Sequence, residues 1–108
     1  MSEPTPTALT LSAAQQQIDA SIQSLGGYWP PLANLARLFE ECGEVARAVN
    51  QLQGSKKLKL GEIQANLSEE IGDALYTLLV LANSLDVDVE KSLTDVLAKY
   101  QRRDVSST

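Results

Sequence analysis

Two short acidic blocks hold the residues best suited to chemistry. Glu40-Glu41-Cys42-Gly43-Glu44 and Glu69-Glu70-Ile71-Gly72-Asp73 both read acid, acid, apolar, glycine, acid. On a helix, residues three apart share a face, so Glu41 pairs with Glu44 and Glu70 with Asp73. Like charges at that spacing destabilise a bare helix. At about 100° per residue, Glu70 falls between Leu67, Ala74, Thr77 and Leu81, inside an apolar stripe, and Asp73 lies at its edge. A buried, unpaired carboxylate is costly or takes up a proton, so a cation is expected beside it. Four carboxylates without a nitrogen or sulfur ligand suit a hard ion, Mg²⁺ or Mn²⁺. The plainer alternative is solvated acids paired with Arg37 and Arg47; it suits one block better than a duplicated pair. Gly43 and Gly72 lie inside helices, where glycine costs about 1 kcal/mol relative to alanine. Their matching places in the two blocks predict a close backbone approach.

The elements that must position these acids are all helical, since Ala, Leu, Gln, Glu and Lys dominate and no period-2 run occurs. A first helix is expected from about Ser12 to Leu25, ended by Gly26-Gly27. After the stiff connector Tyr28-Trp29-Pro30-Pro31, a second helix runs from Pro31 to Gln53 with the stripe Leu35, Leu38, Phe39, Cys42, Val45, Val49 and Leu52. A basic loop, Gly54 to Gly61, leads to a third helix that starts near Glu62 or at Asn66 and continues to about Leu85. Asp88 caps a fourth, Val89 to Arg103, with Val89, Leu93, Val96, Leu97 and Tyr100 on its apolar face. Residues 11–104 thus read as a single helical domain, between a flexible tail over 1–10 and a frayed one over 105–108. The stretch Ala74 to Ala82 is apolar nearly all round, more than one copy of this size can cover. An all-α four-helix bundle completed by oligomerisation, as a homodimer or homotetramer, is the expected architecture.

Composition narrows the function. The chain has 108 residues, with Lys+Arg 9 against Asp+Glu 14, a formal charge of −5, no histidine and one cysteine. The missing histidine excludes Ser-His-Asp and Cys-His nucleophiles, the HExxH zinc site and the Glu-x-x-His di-iron bundle. Lone Cys42 forms neither an internal disulfide nor a thiolate zinc cluster and fits a reducing cytoplasm. The acidic balance offers no basic stripe for nucleic acid. No run approaches the roughly 20 apolar residues of a membrane span, and Met1 to Thr10 lacks the pattern of a secretory signal.

Glu41-x-x-Glu44 followed by Glu70-x-x-Asp73 resembles the ExxE…ExxD signature of the MazG-type all-α nucleoside triphosphate pyrophosphohydrolases. The flanking sequence is similar to the short single-domain members as well: Pro31-Leu32-Ala33, Ala36 to Arg47, Glu69 to Leu75, Ala82 to Val87 and Lys99 to Asp104. The likeness covers about residues 15–104. It implies hydrolysis of the α–β phosphoanhydride of a (deoxy)nucleoside triphosphate to a monophosphate and pyrophosphate. House-cleaning of non-canonical nucleotides follows as a cellular purpose by analogy alone. Glu41, Glu44, Glu70 and Asp73 match the family's metal ligands, and Mg²⁺, or Mn²⁺, is the implied cofactor.

Other residues take roles around that centre. Glu40 precedes the first ligand on the adjoining face and is a candidate general base or extra metal ligand; Glu69 reads as an exposed helix-capping acid. Lys99 and Arg103 match basic positions near the family's C-terminus and are expected to contact the β- and γ-phosphates; a basic last turn that complements the helix dipole is the alternative. Asn83, a polar break after the apolar run, is a further candidate for substrate binding. Trp29, with Tyr28, is a candidate for stacking on a nucleobase, with a hydrophobic connector covering the bundle as the equal alternative, whereas Tyr76 is expected in the core or an interface. Lys56, Lys57 and Lys59 read as solvated. Family members with narrow base choice often carry tryptophans in the loop after the second helix; none stands there here, so the resemblance implies no particular base. A dUTP- or dCTP-preferring relative and a non-catalytic helical interaction module are the rival readings.

Overall fold

In a computed structural model of the chain, which describes residues 8–53 and 65–106, every regular element is a helix. In chain order these are α1 (Leu11–Ser24), α2 (Pro31–Gln53), α3 (Leu67–Ser84) and α4 (Val89–Ser106). The boundaries follow from local chemistry. Thr10 Oγ1 accepts from Ala13 N at 3.0 Å and starts α1 one residue earlier than expected. Gly26 and Gly27, at φ +108° and +101°, close it, with Gly27 N donating to Ile22 O at 2.9 Å. Pro31 opens α2, where the missing N–H costs nothing. Of the two possible starts for α3, Asn66 is the one used: its Oδ1 accepts from Glu69 N at 3.1 Å. Asp88 Oδ1 caps α4 by accepting from Lys91 N. That helix continues to Ser106, so residues 105 and 106 are helical where a frayed tail was expected. The basic loop and residues 1–7 lie outside the described residues.

Among the described residues, helices α2 and α3 make the most extensive contact, and α1 packs on α3. Their pairing is antiparallel: Ala65 N donates to Gln51 Oε1 at one end, while Glu41 meets Glu70 and Asp73 farther along. The core is narrow, with Ile18, Ala48, Leu79 and Ala82 as its buried apolar residues. Of the stripe expected on α2, Leu35, Leu38 and Val45 are half-buried, but Phe39, Cys42, Val49 and Leu52 face outward. Ile71, Leu75 and Leu78 of α3 and Leu93, Val96, Leu97 and Tyr100 of α4 are exposed as well. The radius of gyration is 18.0 Å, against about 13 Å for a compact 100-residue domain.

Gln15 of α1 binds the turn between α3 and α4 through both ends of its amide. Its Nε2 donates to Asn83 Oδ1 and to Val87 O, both at 2.8 Å, and its Oε1 accepts from Val89 N at 3.0 Å. Asn83 Nδ2 returns a bond to Gln15 O at 3.0 Å. Replacing Gln15 with Ala leaves several of these partly buried groups without partners. Q15A is expected to lower the unfolding free energy by about 1–3 kcal/mol, read from denaturant melts; an unchanged midpoint would refute the clamp.

Candidate metal centre

The antiparallel register of α2 and α3 determines which acids meet. Glu41, Glu70 and Asp73 each offer a carboxylate oxygen, and these oxygens lie within 4.8 Å of one another. Glu41 is the more enclosed, its side chain 14% exposed, and Arg37 Nη2 approaches it at 3.4 Å from one turn earlier. Glu44 stands one turn on, 48% exposed and paired with Arg47 at 3.5 Å. The two arginine pairs of the plainer alternative therefore both form, yet three of the four signature acids still converge.

Glu70 registers the crowding. Burial pushes its carboxyl above the usual range, and the charges of Glu44, Asp73, Glu69 and Glu41 push it further, in that order. Glu44 is thus close enough to act on Glu70 although its oxygens lie outside the triad. Glu70 lies in the first turn of α3, where the helix dipole favours a negative charge. The dipole does not cancel the repulsion. An all-oxygen donor set spanning two helices fits a hard divalent cation.

The glycine expectation needs correction. A Cβ built on Gly43 or Gly72 meets nothing within 4 Å among the described residues. The glycines occupy an outward face, since turning Glu41 and Glu44 inward rotates the residue between them away, and no close backbone approach depends on them.

Beside the acids lies a cleft of about 340 Å³ whose walls include Tyr28, Trp29, Asn34, Arg37, Tyr76 and Thr77. Two of its lining residues bond to members of the acid cluster: Arg37 pairs with Glu41, and Thr77 Oγ1 donates to Asp73 O at 2.8 Å. Trp29 lines it and is 62% exposed. Tyr76 belongs to this cleft too, where a core or interface place was expected. Tyr28 OH donates to Asp19 Oδ1 at 2.6 Å; burial and then this bond hold its phenol above the ordinary value. Asn34 and Arg37 were missed as cleft residues, although Arg37 stands one helical turn before Glu41.

The remaining candidates lie elsewhere. Glu40 and Glu69 are exposed and outside the triad. Asn83 is held by Gln15, three turns along α3 from Asp73. Lys99 and Arg103 flank the Tyr100 ring at 5.0 and 5.7 Å, on a helix whose main packing is against α1. Lys56, Lys57 and Lys59 lie outside the described residues.

Comparison with known proteins gives a consistent result. Residues 30–106 match the profile of the MazG nucleotide pyrophosphohydrolase domain. YpjD of Bacillus subtilis (strain 168), an uncharacterised protein, is 45% identical over 96 residues, which span 88% of this chain and 86% of YpjD. The crystal structure of YpjD, provisionally assigned as a pyrophosphatase, superposes with a TM-score of 0.78 at 42% identity, covering 88% of this chain and 98% of that one. That of the Bacillus-conserved MazG protein, a nucleotide pyrophosphohydrolase, gives 0.74 at 38% identity, covering 86% and 90%.

Because the folded state raises the affinity of Glu70 for a proton, ionising this group disfavours folding. That stability is present below the ordinary glutamate range and is lost as pH rises through the folded-state value. E70Q is therefore expected to raise the melting temperature at neutral pH in chelator and to remove the rise that Mg²⁺ or Mn²⁺ produces in the parent chain. A lower melting temperature in chelator would contradict this assignment.

Proposed function

Because the chain belongs to the MazG nucleotide pyrophosphohydrolase family, we propose that it hydrolyses the α–β phosphoanhydride of (deoxy)nucleoside triphosphates with Mg²⁺, or Mn²⁺, at the acid cluster. That it is a nucleoside triphosphate pyrophosphohydrolase follows from the family; the bond cleaved, the ion and the substrate range are the proposal. The observation that carries it is the meeting of Glu41, Glu70 and Asp73 across α2 and α3.

Glu41, Glu44, Glu70 and Asp73 are the residues that would hold the cation, Glu44 by leaving Arg47. A divalent ion there supplies Lewis-acid neutralisation of phosphate oxygens. In the overall reaction a water oxygen bonds to the α-phosphorus, and the bridging oxygen leaves with pyrophosphate. Glu40, on the adjoining face, is the proposed acceptor of the water's proton. Trp29 is proposed to cover the nucleobase, with the cleft behind it taking the ring. Lys99 and Arg103 are proposed to neutralise the β- and γ-phosphates. Because α4 lies against α1, they are proposed to act from a neighbouring copy, in a homodimer or homotetramer whose interfaces cover the exposed apolar faces of α2, α3 and α4. Asn83 is assigned a supporting role, holding α1 and with it the connector.

Among the described residues no helix is long and apolar enough to cross a membrane. A cytoplasmic setting is proposed, on the lone cysteine and the nucleotide substrate. Clearing of damaged or surplus (deoxy)nucleotides is the proposed purpose.

With Mg²⁺ and a nucleoside triphosphate, the enzyme is expected to release pyrophosphate and monophosphate in equal amounts. D73N removes charge stabilisation worth several kcal/mol and is expected to slow turnover by roughly 10²-fold or more. Release of orthophosphate instead, or undiminished turnover in D73N, would contradict the proposal.

A further inference from the structure

We infer that Asn34 makes the cleft beside the acids select nucleobases bearing an exocyclic amino group, such as cytosine and adenine, over their keto counterparts; this rests on the nucleotide reading above. Arg37 and Thr77 each line the cleft and bind a residue of the acid cluster. A nucleotide with its phosphates at the acids therefore places its base against Trp29, Tyr28 and Tyr76. Stacking on such rings tolerates any base. Discrimination must come from a polar group of fixed direction, because a site built for one hydrogen bond rejects the analogue that cannot make it.

Asn34 is that group. It is 4% exposed and lines the cleft. Its Nδ2 donates to Trp29 O at 3.2 Å. The alternative amide orientation would set Oδ1 against that carbonyl, oxygen facing oxygen, so the bond assigns which atom is which. Oδ1 is left as an acceptor with no donor among the described residues. Three of the other polar side chains in the cleft wall are already engaged. Tyr28 OH is committed to Asp19, Thr77 Oγ1 to its own helix, and Arg37 to Glu41 at the acid end. The Tyr76 hydroxyl can donate or accept. An amino group of cytosine or adenine donates to Oδ1, whereas the keto oxygen of uracil or hypoxanthine meets it with repulsion.

Two substrate pairs exchange this group for a keto oxygen, with a proton gained on the adjacent ring nitrogen: ATP against ITP, and CTP against UTP. In pyrophosphate-release assays the parent enzyme is expected to prefer the amino member of each pair by about 10-fold or more in kcat/KM. In N34L the ratio falls toward one. Equal rates within each parent pair would overturn the inference. So would an equal loss on all four substrates in N34L, the mark of a residue that only holds the connector. Binding of AMP against IMP and CMP against UMP, measured by calorimetry, reads the same choice without turnover. Selective binding without pyrophosphate release would sink the proposed activity and keep this inference, whereas indifferent binding would sink the inference.

Discussion

Electrostatic repulsion between α2 and α3 is the constraint on which the rest depends. Their antiparallel packing brings Glu41 against Glu70 and Asp73, with Glu44 close behind. Nothing among the described residues fully offsets this. Arg37 and Arg47 each engage one acid on α2, and the α3 dipole favours Glu70, yet Glu70 still holds its proton more tightly than an ordinary glutamate. Apolar contact between the helices keeps together groups that would otherwise separate. Stability is thereby exchanged for a site prepared to receive positive charge, a common signature of functional carboxylates.

The same two helices form the neighbouring cleft, so acids and aromatic wall are positioned as one unit. Arg37 reaches from the cleft to Glu41, and Thr77 connects it to the Asp73 backbone. The end of α1 and the Tyr28-Trp29 connector complete the wall. They are held by Tyr28 on Asp19 and, farther up α1, by Gln15 on Asn83. Helix α4 stands apart, joined mainly to α1 and presenting an uncovered apolar face.

The sequence made the helices legible because periodicity, caps and breakers are local: Gly26-Gly27, Pro31, Asn66 and Asp88 each act where they stand. The convergence of Glu41, Glu70 and Asp73 was legible because a duplicated spacing on two adjacent helices constrains both faces at once. Partner choice was not. Helical spacing assigns a residue to a face without saying what that face meets, so Tyr76, expected in the core or an interface, lines the cleft. Asn83 was read as a substrate contact and is found bonded to Gln15, since an amide offers the same atoms to substrate or protein. Gly43 and Gly72 looked like contact points because glycine is costly in a helix, but only coordinates could show open space around them. Asn34 gave no sequence signal, because its importance lies in one bond to the Trp29 carbonyl.

The central claim is that acids from both helices jointly hold a divalent cation. Anomalous diffraction from crystals soaked in Mn²⁺ addresses it most directly. The account predicts a peak bridging carboxylates of α2 and α3, with Glu41, Glu70 and Asp73 among its ligands. A density map in which manganese binds acids of a single helix, or none of these residues, would contradict it.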